Sequence, residues 1–375
     1  MMTRKDNWLW LVRIENHLPG EVKHRKLASF RPAAKGEHQM KKLFWILCLS
    51  LLTLSHAALA ETPRGKMSGG RAHELPGWFK SSFLNFKEDA EEARAAGKHL
   101  LIFMDLNDCP YCARTLDENF RTGDNMAFIQ KHFDVVAVNV RGAGEITWLD
   151  GTVFSERDLA SRLKVVGTPT LVFINPDGEK VLQLNGYRTP STLRLALEFV
   201  QGKAYRNQSL ATYVEARQKG TVYTLRSHPS FENVTDFTGY KKPLAVIFED
   251  RTCTDCAGFH DKVLNHPDVQ PELKKFRVVR LDALAETPIT DIDGQRTTPR
   301  AWAAALKLTH RPGMVLFDEG REATRMEGRL YKFHFKELLR FVSSGAYKRY
   351  ERFGFYLDER QQEIINQGTN IDFSE

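Results

Sequence analysis

Two C-x-x-C pairs, offset by 144 positions, constrain the fold of this chain more than any other feature. They are Cys109-Pro110-Tyr111-Cys112 and Cys253-Thr254-Asp255-Cys256. Each pair follows a short apolar run, residues 100–104 and 244–248, and precedes a segment with helical spacing. Each is therefore predicted to lie where a buried strand leads into a helix. The fifth cysteine, Cys48, stands far upstream in an apolar stretch. A small disulfide-stapled domain carries more cysteines, more widely spread, so that class is excluded.

The position of each pair favours thiol chemistry. A cysteine at a helix N-terminus is stabilised as the thiolate by the helix dipole and by unsatisfied N–H groups, and the thiolate is the form that attacks disulfides. Cysteines at positions i and i+3 share one helix face and come close enough to form a bridge. We therefore predict Cys109 and Cys253 as nucleophiles, with Cys112 and Cys256 as the cysteines that resolve the mixed disulfide.

Two other interpretations of the pairs stay open. One is a structural disulfide, although a bridge that closes so short a loop stabilises a protein little. The other is half of a zinc site, although such a site would need both pairs in one place, and two separate folds do not present them that way. Redox exchange itself needs no metal and no cofactor beyond the cysteines' own disulfides, so we expect neither.

The sequence around the pairs is duplicated with an offset of 143. The matched positions are Ile146-Thr147 with Ile289-Thr290, Asp150-Gly151 with Asp293-Gly294, Pro169 with Pro312, and Gly202 with Gly345. A period this long indicates a domain duplication rather than a solenoid repeat. In both copies the predicted elements follow the order βαβ, then ββα, so the fold class is α/β.

This pattern divides the chain into segments. The predicted segments are a non-native or unstructured leader at 1–39, a signal peptide at 40–60, a linker at 61–75, the first domain at 76–205, a linker with a helical stretch at 206–240, the second domain at 241–349, and a helical tail at 350–375.

The segment 40–60 carries the signals of export. Two lysines are followed by an apolar run that ends at Ala60 in an A-x-A cleavage site. We expect cleavage after Ala60 and an exported protein. An uncleaved membrane anchor is the alternative, although the run is short for a bilayer span and contains His56. Because a signal peptide normally begins a chain, residues 1–39 are most simply explained if translation starts at Met40. The alternative is that they are a real, long n-region of the signal peptide.

The charge distribution gives no support to a nucleic-acid-binding surface in the exported part, and we expect no nucleic-acid partner. The formal net charge is +7, but residues 1–60 hold ten Lys/Arg and four Asp/Glu and so carry +6 of it. The remaining +1 offers no basic face for a polyanion.

On these motifs the chain resembles bacterial periplasmic proteins of the thioredoxin-like family, in tandem duplication. The resemblance covers about residues 76–349. It rests on C-P-Y-C, on the D-G loop with its following helix, and on the sequence Gly-Thr-Pro-Thr at 167–170. It implies two tandem thioredoxin-fold domains, each a central mixed sheet flanked by helices.

The resemblance also implies a set of substrate-binding residues. Pro169 is expected to be cis and to face the cysteine pair, and the residue before it offers its backbone to a substrate strand. The candidate residues are Pro110 and Tyr111 at the rim of the first pair, Thr168 and Pro169 facing that pair, and Arg311 and Pro312 facing the second pair.

The function implied is that of a periplasmic thiol–disulfide oxidoreductase that reduces or isomerises disulfides. Its substrates would be protein or small-molecule disulfides, and a periplasmic or membrane redox protein would be its partner. The alternative is a redox-inactive tandem scaffold or chaperone that keeps the fold for binding.

Two departures from the family pattern bear on activity. Ordinary thioredoxin has a buried acid six residues before its first cysteine, and here Phe103 and Ile247 hold that position. Asp255 stands inside the second pair, where its charge opposes a neighbouring thiolate, so we expect Cys253 to be less acidic than Cys109. A cation at Arg311 would offset part of that effect.

Overall fold

The computed structural model describes residues 63–218 and 220–374 of the 375-residue chain. The leader and signal peptide predicted at 1–39 and 40–60 lie outside these residues. All of the described residues fall in one compact unit.

The first repeat contains the first cysteine pair and follows a two-residue strand, β1 (Met67–Ser68). Its helices and strands, in chain order, are α1 (Phe86–Ala95), β2 (His99–Asp105), α2 (Pro110–Thr115), α3 (Gly123–His132), β3 (Phe133–Asn139), β4 (Glu145–Thr147), β5 (Val153–Ser155), α4 (Glu156–Arg162), β6 (Thr170–Ile174), β7 (Lys180–Asn185), α5 (Pro190–Gln201) and α6 (Leu210–Arg217). A π-helical turn, Leu116–Phe120, continues α2.

The second repeat contains the second pair and ends in a short strand, β14. Its helices and strands, in chain order, are β8 (Leu244–Glu249), α7 (Cys256–Phe259), α8 (Gln270–Leu273), β9 (Arg277–Asp282), β10 (Ile289–Thr290), β11 (Arg296–Thr297), α9 (Pro299–Ala305), β12 (Gly313–Asp318), β13 (Arg321–Glu327), α10 (Lys332–Ser343), α11 (Phe353–Asn366) and β14 (Ile371–Asp372). A π-helical turn, His260–Leu264, continues α7.

Each repeat builds a four-stranded mixed sheet, and the two sheets share one topology. The first has the order β3-β2-β6-β7 and the second the order β9-β8-β12-β13. The strand before each cysteine pair lies inside its sheet, parallel to one neighbour and antiparallel to the other. Every residue of β2 and β8 is buried, because helices cover both faces of the sheet. The predicted α/β fold with two mixed sheets is confirmed.

Strand β2 delivers its side chains alternately to two apolar clusters. Phe103 packs in the cluster that also holds Cys109 and Cys112. Ile102 packs in the cluster on the opposite face of the sheet. Since side chains alternate along a strand, Asp105 shares the face of Phe103, one step nearer to the cysteine pair.

The D-G segments are hairpins rather than loops. Strands β4 and β5 pair across the turn at Gly151, whose φ of +82° suits glycine. Strands β10 and β11 pair across Gly294, with φ of +80°. An Asp-Gly turn between short strands is a hairpin signal, and the buried Ile146 fixes the first hairpin against the core.

The repeat offset changes from 143 to 142 within the last hairpin of each sheet. The left-handed residue after the last helix is Lys203 in the first repeat and Gly345 in the second. The sequence match of Gly202 with Gly345 is therefore wrong by one position. The turn between β12 and β13 is shorter than that between β6 and β7, which accounts for the lost residue.

The two repeats contact each other through corresponding loops, those that follow β7 and β13. A Cβ placed on Gly186 would lie 3.3 Å from the carbonyl oxygen of Glu327. A Cβ placed on Gly328 would lie 3.6 Å from the carbonyl oxygen of Tyr187. Both glycines have positive φ, +87° and +98°, so each loop is shaped for this close approach.

Strand β1 pairs in parallel with β14, with Met67 opposite Ile371. The segment that precedes the first repeat is thereby joined to the segment that follows the second. Within residues 63–218 and 220–374, no helix has the length and apolarity needed to cross a bilayer.

Candidate redox-active sites

The first cysteine pair lies at the N-terminus of α2 and forms a disulfide. The Cα atoms of Cys109 and Cys112 are 5.2 Å apart. Cys109 is the N-cap residue, and its Sγ accepts a hydrogen bond of 3.1 Å from the backbone N–H of Cys112. Pro110 is the first helical residue, where the absence of an N–H costs nothing. Cys112 is fully buried, whereas Cys109 keeps 5% of its surface exposed.

The peptide bond between Thr168 and Pro169 is cis, as the resemblance implies. Thr168 faces the first pair, since its Oγ1 donates a hydrogen bond of 3.3 Å to the Sγ of Cys109. The carbonyl oxygen of Thr168 lies 3.6 Å from the same sulfur. This places a backbone acceptor beside the cysteine predicted to react first.

A buried carboxylate lies on β2, four residues before Cys109. Asp105 ends β2, and both of its oxygens lie within 3.0 Å of the Nε2 of His73. Burial raises the pKa of Asp105, and the hydrogen bond and charge of His73 offset part of that rise. An acid is absent at Phe103 but present two residues later, on the same face of the strand.

The second cysteine pair also forms a disulfide, with Cα atoms 5.6 Å apart. Cys256 is the first residue of α7 and is fully buried. Cys253 keeps 3% of its surface exposed. Asp255 is the N-cap residue, but its side chain makes no capping hydrogen bond.

Arg311 precedes a second cis proline, Pro312, at the position that Thr168 holds in the first repeat. Its Nε donates a hydrogen bond of 2.9 Å to Asp250. Arg311 thus pairs with Asp250, and it lines the same cavity as Cys253.

Asp255 has other neighbours that stabilise its ionised form. The Nε2 of His310 lies 3.5 Å from its carboxylate. Burial acts to raise the pKa of Asp255, but the hydrogen bond from His310 and the charges of Arg329 and Arg188 outweigh it and lower the pKa. The carboxylate therefore stays ionised beside the second pair.

A buried triad stands behind the second pair. Glu249 ends β8 and is fully buried, and one of its oxygens lies 2.8 Å from the Nε2 of His260. The hydroxyl of Tyr223 donates a hydrogen bond of 3.1 Å to the other oxygen. Tyr223 packs in one apolar cluster with Cys253 and Cys256. Burial first, and then the charge of Glu249, raises the pKa of Tyr223.

Asp105 and Glu249 are the residues that sequence reasoning missed. Each lies four residues before the first cysteine of its pair and two after the position that holds the buried acid in ordinary thioredoxin. Strand alternation, which places positions 103 and 105 on one face, was the available signal. The partners could not be inferred, since His73 comes from the segment before the first repeat.

Each cysteine pair is covered by the opposite repeat. Tyr111, predicted at the rim of the first pair, is buried against α10 of the second repeat. Its hydroxyl accepts a hydrogen bond of 2.7 Å from the backbone N–H of Tyr331 and lies 3.3 Å from the Nδ1 of His334. The rings of Tyr111 and Tyr331 are 4.5 Å apart between centroids.

Two cavities remain at these covered sites. The first has a volume of about 300 Å³ and is lined by Cys109, Pro110, Tyr111 and Thr168 together with residues of β13, α10 and α11. The second has a volume of about 310 Å³ and is lined by Cys253 and Arg311 together with residues of α5 and α6. Within the described part of the chain, no group of three or more His, Cys, Asp or Glu side chains is arranged to hold a metal ion.

Several solved structures are similar to part of this chain. A thioredoxin-fold protein from Helicobacter pylori is 20% identical and covers 35% of this chain and 97% of its own, with a TM-score of 0.30. A thioredoxin from Thermus thermophilus is 26% identical and covers 31% and 83%, with a TM-score of 0.26. A disulphide isomerase from Xylella fastidiosa Temecula1 is 22% identical and covers 39% and 100%, with a TM-score of 0.24.

Among curated proteins no sequence matches the chain. The sequence model of the thioredoxin-like domain matches twice, over residues 86–201 and 231–343. The two matches span more than half of the chain, and each contains one C-x-x-C pair. The chain therefore belongs to the thioredoxin-like domain family, in tandem form.

Proposed function

We propose that this protein is an exported thiol–disulfide oxidoreductase that reduces or isomerises disulfides, with Cys109 as its first nucleophile. The observation that supports this most is the environment of the Cys109 sulfur. It lies at a helix N-terminus, accepts a backbone hydrogen bond from Cys112, and faces the residue before a cis proline. These are the groups that stabilise a thiolate and align a substrate strand beside it.

The reaction begins from the reduced pair. The thiolate of Cys109 attacks one sulfur of the substrate disulfide, and the other sulfur leaves as a thiolate that takes up a proton. Cys112 then loses its proton and attacks the Sγ of Cys109. The second substrate sulfur leaves as a thiol, and the Cys109–Cys112 disulfide forms. Two electrons and two protons pass to the substrate, and a separate reductant must restore the pair.

Cys112 is fully buried, so its proton needs a nearby acceptor. We assign this role to Asp105. It shares a strand face with Phe103, and Phe103 packs in the same apolar cluster as Cys112. Burial raises the pKa of Asp105, which makes it a better base. In the second repeat Glu249, with His260 and Tyr223, is the corresponding group.

The cellular setting is part of the proposal. The signal sequence at 40–60, cleaved after Ala60, would deliver the enzyme to the periplasm. A thiol enzyme working as a reductant there needs electrons from a periplasmic or membrane redox protein, because that compartment is kept oxidising.

One observation favours a redox-inactive scaffold instead. Only 5% of Cys109 and 3% of Cys253 is exposed, since the opposite repeat covers each pair. A protein substrate could reach either cysteine only if the repeats moved apart. The two functions predict opposite outcomes in a turnover assay.

The test is reduction of insulin and of a low-molecular-weight disulfide by the mature protein with dithiothreitol as electron source. Cys109→Ser/Cys112→Ser should abolish turnover at the first site, and Cys253→Ser/Cys256→Ser is the matched control that leaves this site intact. Cys112→Ser should trap a mixed disulfide at Cys109. A wild-type protein with both pairs reduced and no activity above dithiothreitol alone would leave the scaffold as the better description.

A further inference from the structure

We propose that the cavity at Cys253 binds small disulfides that carry carboxylate groups, so that the second site is specific for low-molecular-weight anionic substrates. This inference rests on the proposed function and names a substrate class for its second site. It is carried by a cavity of about 310 Å³ with a reactive cysteine in its wall and a surplus of positive charge in its lining.

Arg188 is the central observation. It comes from the loop after β7 of the first repeat, lines this cavity, and is only 2% exposed. Its Nη1 donates to backbone carbonyls, among them those of Asn185 and Glu327. Its Nη2 is buried and has no hydrogen-bond partner among the described residues.

A buried guanidinium without a carboxylate partner is costly. Burial lowers the pKa of Arg188 to about 10, against the opposing charges of Glu327 and Asp255, and the group still stays protonated at neutral pH. The charge of Arg188 therefore contributes positive potential to the cavity wall, and that potential favours an anionic ligand.

The two carboxylates in the lining are already paired with other cations. Glu215 binds Arg300 through both oxygens, at 2.9 and 3.2 Å. Asp250 binds Arg311 at 2.9 Å. Neither is therefore available to Arg188.

Lys307 adds a second unpaired charge. It is exposed, it lines the same cavity, and no carboxylate lies within ion-pair distance of it among the described residues. Burial, and then the positive charges of Lys307 and Lys164, lower the pKa of the nearby Lys180. The cavity thus combines a buried cation with a cationic side chain that solvent can reach, and a positive cleft concentrates anions.

The covered position of Cys253 limits the size of the substrate. Helices α5 and α6 of the first repeat contribute to the cavity lining, so a folded protein could not reach the sulfur in this arrangement. A short disulfide with terminal carboxylates fits both the volume and the charge. Reduced Cys253 attacks one substrate sulfur and Cys256 resolves the mixed disulfide, which releases two thiols and leaves the Cys253–Cys256 bridge.

The experiment uses the full mature chain with Cys109→Ser/Cys112→Ser, so that only the second pair reacts. The reduced protein is mixed with dithiodipropionate (anionic), bis(2-hydroxyethyl) disulfide (neutral) or cystamine (cationic). Each rate constant is divided by that of dithiothreitol with the same disulfide, which removes intrinsic differences in reactivity. The anionic substrate should be favoured over the neutral one by about tenfold or more, and added salt should reduce that ratio.

Lys307→Gln should lower the ratio of the anionic rate to the neutral rate several-fold. Arg188→Gln should do the same, and Arg188→Lys should restore part of the preference. Lys274→Gln removes an exposed charge that lines neither cavity and is the matched control. Equal normalised rates for the three disulfides, or a preference that survives in both Lys307→Gln and Arg188→Gln, would overturn the proposal while the proposed function stands.

If the second pair reacts with none of the three disulfides, the proposal is also overturned. The Cys253→Ser/Cys256→Ser variant keeps only the first cysteine pair. Its activity in the disulfide reduction assay then shows separately whether the first site performs the proposed function.

Discussion

The hydroxyl of Tyr111 accepts a 2.7 Å hydrogen bond from the backbone N–H of Tyr331, and this bond joins the two repeats at the first cysteine pair. Tyr111 stands between the two cysteines, and Tyr331 is the N-cap residue of α10. The side chain that borders the reactive sulfur therefore also satisfies a buried donor of the opposite repeat.

Tyr111→Phe should loosen this junction. The buried N–H of Tyr331 would lose its acceptor, which costs about 1–3 kcal/mol. We expect a lower free energy of unfolding in urea and faster alkylation of Cys109 in the reduced protein. Tyr347→Phe, which removes a hydrogen bond to Asp318 inside the second repeat, should lower stability without changing the alkylation rate. Equal alkylation rates in wild type and Tyr111→Phe would contradict the prediction.

Asp105→Asn should slow the step in which Cys112 resolves the mixed disulfide. Asparagine keeps the shape and can still meet His73, but it cannot accept the proton. We expect turnover to fall by about tenfold or more, with the mixed disulfide at Cys109 accumulating in rapid-quench mass spectrometry. Asp117→Asn, at a partly exposed carboxylate paired with Arg121, is the control and should leave turnover intact. Unchanged resolution in Asp105→Asn would remove this carboxylate from the mechanism.

His310 should make the fold sensitive to mild acid. Burial, and then the charge of Arg188, lowers its pKa to about 4, whereas an unfolded histidine titrates near 6.5. Between these values the unfolded chain binds the extra proton, so stability falls as pH decreases from about 6.5 to about 4. For one such group, the free energy of unfolding changes with pH by a slope that approaches about 1.4 kcal/mol per pH unit.

The measurement is urea unfolding of wild type, His310→Gln and His266→Gln across this range. The slope should shrink in His310→Gln. His266 is a partly exposed histidine of the second repeat, so its replacement should keep the wild-type slope. A slope that is the same in all three proteins would show that His310 is not its source.

Asp255→Asn should make Cys253 more reactive at neutral pH. An ionised carboxylate inside the pair disfavours the neighbouring thiolate, and its removal takes away that repulsion. Alkylation rates measured against pH in the reduced protein should shift toward lower pH in the variant, and Cys109 should react at lower pH than Cys253 in wild type. Asp261→Asn, at a surface carboxylate paired with Arg226, should cause no shift. A shift toward higher pH in Asp255→Asn would mean that the aspartate helps the second site.

Local pattern made most of the fold predictable. The apolar run at 100–104 predicts β2 to within a residue at each end, because a strand covered on both faces is apolar except at its two ends. The duplicated prolines marked two corresponding strand entries, and both peptide bonds are cis. The sequence predicts loops at the D-G segments, because strands of two or three residues carry too little pattern to stand out.

The environment of the sites was less predictable, because it depends on contacts between distant residues. Tyr111 meets Tyr331, and Arg188 reaches the cavity at Cys253, but no periodicity relates such pairs. The bond between His73 and Asp105 likewise joins a segment without regular pattern to a strand end. Cysteine positions could be inferred from the motif, whereas their covering by the opposite repeat could not.

The loops at Gly186 and Gly328 carry a consequence for the origin of this architecture. They are corresponding loops of the two repeats, and each packs against the other, as the matching surfaces of two identical subunits do around a twofold axis. Fusion of the genes of such a homodimer would convert a contact between molecules into one within a single chain. Each repeat could then diverge in sequence at its own cysteine pair while it still covers the cysteine pair of the other repeat.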